Sequence, residues 1–496
     1  MNDYGLLIET LLPETALVVA ALAVLAADLA FLGGKPHRQR LGVAGFIALV
    51  GLAVATVLAL NFQQRVGVFP LTGSTHLTGS TRAAIFVLTF LTTLFIVSTS
   101  RLKNPAEHIA LTLFAAAGCS LMVTADNLLV IFASLELASL SLYILAGFDK
   151  TSPASAEAGL KYFLYGGTAA AFLLFGFSLL YGLTGEIGLG AIAQQLSRTP
   201  ETPLLVVAAV LVFVGFGYKV AAAPFHIWAP DAYQGAPVTS AALIASASKV
   251  AGFVLLARVL SVFWCGELFV KGQAVGWVAV LLLLAAVSLL LGNIVALAQQ
   301  NIRRLLAYSA IAHAGVLLLG ALAAGAVVFP NTSFEAQQHL AYYLFTYGLA
   351  TVGVFGVVAV MEANGLPAQR LSDFAGLWQR SRLLGGTLMV FVLSLAGVPP
   401  LAGFMAKFLV LRDALALAAA KIPFANFVFA LVLLAVALTV LGLFYYLQIL
   451  RYAFVSAPKE GEPTADTAPL RVPTPAAFAL VFAAAALVVT GILAAA

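Results

Sequence analysis

Long apolar runs recur along the chain and constrain its fold more than any other feature. The runs 204–214 and 278–291 contain no charged residue. Of the 496 residues, 62% are hydrophobic and 9% are charged, so a soluble fold could not cover its surface with polar groups. Inside hydrocarbon only helices and closed barrels satisfy their backbone groups, and runs of this length favour helices. The sequence therefore predicts an all-α polytopic membrane protein.

About fourteen transmembrane helices are predicted, since each span needs roughly 20 apolar residues. The predicted spans are 11–33, 41–61, 83–100, 107–125, 127–148, 159–183, 203–223, 238–262, 275–298, 302–325, 336–362, 383–417, 424–452 and 474–495. The run before Pro13 is acidic and lacks a basic segment or a cleavage site. We therefore expect the first span to remain in the mature protein and not to act as a signal peptide.

Lysine and arginine residues are distributed unevenly between the alternate loops. With the N-terminus outside, the loops and span ends that face the cytoplasm hold fifteen of them: Lys35, Arg38, Arg40, Arg101, Lys103, Lys150, Lys161, Arg303, Arg304, Arg370, Arg380, Arg382, Arg451, Lys459 and Arg471. The opposite side holds six: Arg65, Arg82, Arg198, Lys271, Arg412 and Lys421. This bias predicts a multi-pass protein of the cell inner (plasma) membrane with both termini on the periplasmic side.

Two of the predicted helices are interrupted by proline. Pro224 breaks span seven, and Pro399 with Pro400 breaks span twelve. Because the breaks lie five spans apart, the two helices run in opposite directions, as expected for two inverted five-helix repeats. Proline frees backbone carbonyl groups, which are tolerated at membrane depth only where protein or water receives them. The breaks therefore predict hydrated cavities, with a simple packing kink as the alternative for each.

The repeats divide the chain into four predicted segments. They are residues 1–106 with helices one to three, 107–262 as the first repeat with helices four to eight, 275–452 as the second repeat with helices nine to thirteen, and 453–496 as a connector with helix fourteen.

Six ionisable residues lie near the middle of apolar spans or at their breaks. They are Glu136, Lys219, His226, Lys249, His313 and Lys407. A charge at the bilayer centre costs several kcal/mol, so such a series predicts an ion or proton path. Glu136 and Lys249 lie about ten residues from either span end, too deep to reach bulk water at a rise of 1.5 Å per residue. A buried ion pair or a snorkelling side chain is the alternative, and His313 beside Ser309 equally fits a hydrogen-bonded core residue.

Sequence motifs for soluble cofactors and for nucleic acid are not found. The chain has no glycine-rich dinucleotide fingerprint, no P-loop, no iron–sulfur cysteine set and no basic run typical of a nucleic-acid surface. Cys119 and Cys265 fit no metal spacing and are interpreted as inert apolar residues. We therefore expect the energy for transport to come from a gradient or from partner subunits.

Three segments carry a family resemblance. They are Lys219-Val-Ala-Ala-Ala-Pro-Phe-His-Ile-Trp-Ala-Pro-Asp-Ala-Tyr-Gln-Gly-Ala-Pro237, Ala245-Ser-Ala-Ser-Lys-Val-Ala-Gly-Phe253, and Asn301-Ile-Arg-Arg-Leu-Leu-Ala-Tyr-Ser-Ala-Ile-Ala-His313. All three resemble the antiporter-like membrane subunits of proton-pumping NADH:quinone oxidoreductase, respiratory complex I, and the resemblance covers about spans four to thirteen. The Tyr-Gln-Gly-Ala-Pro run and the lysines at 249 and 407 are most similar to the N type of subunit, because M subunits typically have a glutamate in span twelve.

The resemblance implies a role in the proton-pumping arm. By similarity, Glu136 and Lys219 would form a charged pair and Lys249 the central relay. Lys407 would lie near the periplasmic exit. From its position in span ten alone, His313 is a candidate step between Lys249 and Lys407. A nearby carboxylate favours the charged form of a buried lysine, so a movable Glu136 would switch Lys219 between holding and releasing a proton.

The resemblance also implies partners. NADH, FMN, iron–sulfur clusters and quinone are expected in other subunits, with no cofactor in this chain. The expected contacts are other membrane subunits, including neighbouring antiporter-like subunits and the lateral helix of subunit L, together with the lipid bilayer and no nucleic acid. A subunit of a multisubunit cation/proton antiporter or of a membrane-bound hydrogenase is the alternative with the same fold, and an inert scaffold is the alternative of a different class.

Overall fold

A computed structural model describes residues 9–61, 75–197, 202–264, 276–326, 330–419, 424–456 and 468–495. Within these ranges, twelve helices are long and apolar enough to cross a membrane. Two shorter apolar helices, Pro203–Lys219 and Arg382–Ala396, are the first halves of the proline-broken spans seven and twelve. The prediction of an all-α membrane protein with about fourteen spans, two of them broken by proline, is therefore confirmed.

The helices are numbered here in chain order. They are α1 Leu12–Ala27, α2 His37–Asn61, α3 Thr75–Thr99, α4 Pro105–Thr124, α5 Leu128–Ala146, α6 Pro153–Thr184, α7 Leu189–Leu196, α8 Pro203–Lys219, α9 Trp228–Gly235, α10 Val238–Ala245, α11 Ala247–Trp264, α12 Gly276–Leu297, α13 Ile302–Gly325, α14 Pro330–Ala363, α15 Leu377–Arg380, α16 Arg382–Ala396, α17 Ala402–Ala419, α18 Ala425–Phe454 and α19 Thr474–Ala495. A π-helical turn, Asp28–Leu32, extends α1, and a 3₁₀ turn, Leu371–Phe374, precedes α15.

Span eight contains an interruption that the sequence did not predict. The α-helix stops at Ala245 and restarts at Ala247, although no proline lies between them. At Ser246 the backbone leaves the helical region, with φ −115° and ψ −86°, and the side-chain hydroxyl donates to the Ala242 carbonyl oxygen at 2.6 Å. A serine that bonds back to its own helix often bends that helix. The interruption places Lys249 in the first turn of a new helix, α11.

Matching local features recur in the two halves. Asn127 and Asn301 cap α5 and α13, and each side-chain oxygen accepts from two amides of the first helical turn. Each asparagine also forms an isolated β-bridge, the first to the loop before α7 and the second to the loop after α14. Gly118 and Gly292 bring α4 onto α5 and α12 onto α13, since a Cβ at either glycine would overlap backbone of the facing helix. These matches are the local signature of the inverted repeats.

The centre of the bundle is formed by α13 and α14. In each of these helices 94% of an 18-residue apolar stretch is buried, compared with 33% in α6. Charged residues near the span ends are paired: Arg82 with Glu14 at 2.5 Å and Lys161 with Glu157 at 2.6 Å. Cys119 is a buried free thiol, whereas Cys265 lies outside the described residues. The two helices α13 and α14 therefore have the least contact with the surroundings of the bundle among the long helices described.

Candidate functional site

Lys219, at the end of α8, contacts α5, the helix that carries Glu136. Lys219 ends α8, is 5% exposed, and its Nζ donates to the Ser139 hydroxyl at 3.2 Å. Glu136 lies one turn before Ser139, and its Oε1 is buried without a hydrogen-bond partner in the described part of the chain. No described carboxylate oxygen lies within 4.0 Å of Lys219 Nζ, so the expected pair is not a direct ion pair. The ammonium and the carboxylate instead flank Ser139.

The proline break after Lys219 is held by side chains. The Trp228 ring stacks on Tyr162 with centroids 4.3 Å apart, and its Nε1 donates to the Tyr218 carbonyl oxygen at 3.0 Å. The Ala223 amide donates to the Ser288 hydroxyl of α12 at 2.8 Å. Side chains of the protein thus form hydrogen bonds with backbone groups at the break, as an interrupted helix requires at membrane depth.

Lys219 packs against α11, the helix that carries Lys249. A Cβ at Gly252, one turn after Lys249, would lie 3.2 Å from Lys219 Cγ, so the glycine lets the Lys219 stem pack against α11. Lys249 is 3% exposed, donates to the Ala310 carbonyl oxygen, and has its Nζ 5.4 Å from the centroid of the Tyr347 ring. These contacts place the Lys249 ammonium between α13 and α14, inside the bundle.

His313 lies between Tyr347, the aromatic neighbour of Lys249, and the hydroxyl groups of Tyr343 and Tyr446. Its ring centroid lies 4.9 Å from that of Tyr347. Nδ1 is 2.8 Å from the Tyr343 hydroxyl and Nε2 is 3.1 Å from the Tyr446 hydroxyl, which also contacts Ser309. Both ring nitrogens therefore have a partner that can donate or accept. This geometry satisfies a buried histidine and equally provides a route across its ring.

Lys407 fills the gap made by the second break. Its Nζ donates to the carbonyl oxygens of Leu395 at 2.8 Å and Ala396 at 3.1 Å, at the C-terminal end of α16. The break at Pro399 and Pro400 stops the helix there and leaves those carbonyls free. A cation at a helix C-terminus is also favoured by the helix dipole. The lysine is therefore both a titratable group and a structural ligand of the broken helix.

A small cavity joins His313 to Lys407. Its volume is about 20 Å³, and its polar lining includes Asn293, Tyr445 and Tyr446. Tyr445 donates to Asn293 Oδ1 at 3.3 Å on its wall. One water needs about 10–15 Å³ and several polar partners, so the cavity, which His313 and Lys407 both line, is large enough for one water.

His226 does not join the other five residues. It lies in the break after α8, is half-buried, and shares that segment with the exposed Pro224 and with Ile227, which is 57% exposed. Its ring centroid lies 6.4 Å from that of Tyr308, and its Nδ1 has no hydrogen-bond partner in the described chain. The structure thus places His226 at the outer face of the chain. We call the other five residues the buried row: Glu136, which is half-buried with its Oε1 buried, and the buried Lys219, Lys249, His313 and Lys407.

The tyrosines that line the row were not identified from the sequence. Tyr343 and Tyr347 are four residues apart on one face of α14, and Tyr445 with Tyr446 lies inside the long α18. A buried tyrosine usually finds a partner for its hydroxyl. The i, i+4 spacing of two tyrosines inside an apolar span was the available signal.

The described residues do not form a metal-binding site. Within those residues no group of three or more His, Cys, Asp or Glu side chains could hold a metal ion. The arrangement that is present consists of lysines, a carboxylate, a histidine and hydroxyl groups, which are proton donors and acceptors.

Comparison with known proteins decides the family. A family profile described as "NADH:quinone oxidoreductase/Mrp antiporter, TM" matches residues 125–436. A relative from Acidobacterium capsulatum, "NADH-quinone oxidoreductase subunit N 2", is 44% identical over 99% of this chain and 97% of its own length. The chain belongs to the subunit N family of NADH-quinone oxidoreductases.

Solved structures agree with membership in the subunit N family. A chain of respiratory complex I from Thermus thermophilus with bound aureothin superposes with a TM-score of 0.77 at 32% identity, covering 97% of both chains. A chain of the Mrp complex from Dietzia sp. superposes with a TM-score of 0.76 at 20% identity, covering 97% of this chain and 94% of the other. At that identity the second likeness shows a common fold and no more.

Proposed function

We propose that the chain is a proton-translocating subunit of NADH:quinone oxidoreductase and that the buried row carries the proton. The observation that supports the route is its continuity. Lys219 packs on the helix that carries Lys249, Lys249 and His313 share Tyr347, and His313 shares a one-water cavity with Lys407. An ionisable residue at membrane depth raises the free energy of the folded protein in the bilayer, so a series of them favours a functional role.

The first step is an electrostatic switch at Glu136 and Lys219. The carboxylate stabilises the Lys219 ammonium across Ser139 while the two charges remain close. When Glu136 moves away or becomes neutral, the ammonium loses that stabilisation and releases its proton toward Lys249. Glu136 is free to move because its Oε1 has no hydrogen bond to another described residue.

The second step crosses the imidazole of His313. A proton arriving at Nδ1 through the Tyr343 hydroxyl allows a proton to leave Nε2 toward Tyr446 and the cavity water. Lys407 then receives it on the other side of that cavity. This transfer leaves the imidazole neutral but in the other tautomer, so the ring must return to its first tautomer before it passes the next proton.

The surrounding assembly supplies the energy. Quinone reduction by NADH takes place in other subunits, which hold NADH, FMN, iron–sulfur clusters and quinone. The partners are neighbouring antiporter-like subunits and the lateral helix of subunit L, in the cell inner membrane. The lysine and arginine bias supports periplasmic termini. The recurring features of the two halves support residues 107–262 and 275–452 as the repeats, flanked by 1–106 and 453–496.

The antiporter alternative has weaker support. The relative at 44% identity is a subunit N, whereas the Mrp chain shares only the fold at 20% identity. A membrane-bound hydrogenase subunit has no observation in its favour here.

Replacing Lys249 with alanine in the assembled complex tests the proposed function. Shortening one side chain between packed helices should leave assembly intact and remove the central relay. We expect proton pumping to fall by about tenfold or more, since a positioned proton carrier contributes about 10²–10⁴-fold. Pumping and NADH:quinone reductase rates are measured in membranes that hold equal amounts of complex.

A surface lysine provides the matched control. Lys35 is exposed in the loop between α1 and α2. Lys35→Ala should leave both rates at the wild-type level. If Lys249→Ala also pumps at the wild-type rate, the buried row does not carry the proton.

A further inference from the structure

The short helix α9 follows the first proline break, and its own backbone does not determine where it lies. Residues 220–227, between α8 and α9, do not form a helix, and α9 has eight residues. A helix of that length is not stable on its own, so its position depends on tertiary contacts. Side chains around α9 therefore determine where it lies relative to Lys219, the last residue of α8.

The first residue of α9 ties this helix to the end of α8. Trp228 Nε1 donates to the Tyr218 carbonyl oxygen at 3.0 Å, and Tyr218 is the residue before Lys219. The Trp228 ring also stacks on Tyr162 of α6. A displacement of α9 would therefore act on the backbone next to Lys219.

Asp231, one turn after Trp228, joins α9 to two further helices. Its Oδ2 accepts from Lys161 Nζ of α6 at 2.7 Å, and its Oδ1 accepts from Arg304 Nη1 of α13 at 2.7 Å. Each carboxylate oxygen thus receives a charge-assisted hydrogen bond from a different helix. Two such bonds in different directions fix the orientation of the carboxylate and, with it, that of α9.

The first turn of α13 also holds the other end of α9. Arg303 Nη1 donates to the carbonyl oxygens of Gln234 at 3.1 Å and Ala236 at 3.2 Å, and Arg304 Nη1 donates to the Gln234 side chain at 3.0 Å. A cation at the C-terminal end of a helix is favourable, because the last carbonyl groups have no helical donor. Two consecutive arginines of α13 therefore hold α9, one of them through Asp231.

These contacts connect the two predicted repeats. α13 belongs to the second repeat and carries His313, whereas α8 and α9 belong to the first and carry Lys219. The side chains of Lys161, Asp231 and Arg304 are 39%, 29% and 31% exposed. Ion pairs that water reaches contribute little to stability. The Asp231 contact is thus distinguished by the helices that it joins more than by the stability that it provides.

We propose that Asp231 is a positioning residue of the proton path, whose carboxylate holds α9 against α13 and thereby sets the position of the Lys219 end of α8. The inference rests on the proposed function, because the position of Lys219 affects pumping only if Lys219 passes on a proton. Asp231 acts through the contacts of Trp228 and keeps its own charge throughout.

Asp231→Asn in the intact complex tests the positioning role. The amide keeps the shape of the side chain but turns an NH₂ group toward one of the two cations, so one helix contact is lost. We expect pumping to fall by about fivefold, the upper end for a half-exposed charge pair. Asp231→Glu retains the carboxylate beside two flexible cationic side chains, and we expect its pumping to lie within about twofold of wild type.

Glu157 provides the matched control for this substitution. Its carboxylate pairs with the same Lys161 Nζ at 2.6 Å, one turn earlier on α6. Glu157→Gln therefore removes an equal charge from Lys161 and leaves both bonds of Asp231 in place, so it should pump at the wild-type rate. Wild-type pumping by Asp231→Asn, or equal losses in Asp231→Asn and Asp231→Glu, would overturn the proposal.

Hydrogen exchange of the backbone amides of residues 220–236 measures the position of α9 without reference to pumping. In the purified complex we expect exchange about fivefold faster in Asp231→Asn than in wild type, because local opening becomes easier, and no change in Glu157→Gln. If Asp231→Asn fails to assemble, Arg304→Gln removes the α13 side of the same contact and should give the same result. Unchanged exchange in the assembled variant would overturn the proposal.

The positioning role and the proton path fail separately. If Lys249→Ala loses pumping while Asp231→Asn pumps at the wild-type rate, the positioning role is wrong and the proton path stands. If Lys249→Ala pumps normally while Asp231→Asn shows faster exchange and lower pumping, the buried row is wrong and the positioning role of Asp231 stands.

Discussion

The two proline breaks place their lysines in different chemical settings. Lys219 precedes the first break, donates to one serine hydroxyl and has Glu136 nearby on the same helix as that serine. Lys407 follows the second break and donates to the carbonyl oxygens of Leu395 and Ala396. The repeats thus share a fold, but one lysine faces a movable side chain and the other faces fixed backbone.

This difference indicates a division of roles. A lysine whose stabilising carboxylate can move changes its proton affinity when that carboxylate moves. A lysine held by two backbone carbonyls has surroundings that change only if the broken helix itself changes. We therefore infer that the first half is the switch and that the second half is a fixed receiver of the proton.

Lys219 substitutions give the largest expected effect. Lys219→Ala removes both the charge and the proton, and we expect pumping to fall by about 100-fold. Lys219→Arg keeps a charge that can still bond to Ser139, but arginine does not lose its proton in proteins. Both variants should fail in pumping assays on equal amounts of assembled complex. Pumping by the arginine variant would mean that Lys219 acts as a fixed charge only.

Lys407 substitutions should reveal its structural role as well. Lys407→Leu leaves two buried carbonyl oxygens without a donor, at a cost of about 1–3 kcal/mol, whereas Lys407→Gln retains an amide donor. We expect both variants to lose transport, and only the leucine variant to lower the thermal stability of the complex. Equal melting temperatures for the two variants would contradict the backbone-ligand role.

The broad architecture and the row were predictable, because their signals are local. Apolar runs give the spans, prolines give two breaks, and an ionisable residue inside an apolar run is conspicuous at any position. The half-buried position of His226 at the outer face was not predictable, because which side of a broken segment faces outward depends on the packing of neighbouring helices. The contact between Lys219 and Ser139 depends on helix rotation, which hydrophobic length does not determine.

The missed features have physical reasons too. The interruption at Ser246 contains no proline, and its serine hydroxyl bonds within its own helix. The large polar cavity lined by Glu107, Asp149 and Glu362 is assembled from loops and helix ends that are distant in sequence. The tyrosines near His313 come from α14 and α18, and only tertiary packing brings them to one imidazole.

Proline substitutions should affect the second half more than the first. Replacing Pro399 and Pro400 with alanine restores backbone donors that compete with Lys407 for the carbonyls of α16. Pro224→Ala leaves the Lys219 contact to Ser139 in place. We expect pumping to fall several-fold in the double variant and less in the single one. The opposite order would show that the first break is the more sensitive one.

Substitution of Ser139 should have the smallest effect on proton pumping, and it tests a single hydrogen bond. Ser139→Ala removes the acceptor of Lys219 Nζ and leaves both charges of the first half in place. Loss of one hydrogen bond of about 1 kcal/mol shifts the position of the ammonium roughly fivefold in population, so we expect pumping to fall by a few-fold. Ser141→Ala on the same helix is the matched control, because that hydroxyl bonds to the Leu137 carbonyl within α5. Pumping rates are compared at equal complex content, and equal rates for the two serine variants would show that Ser139 does not position Lys219 for release of its proton.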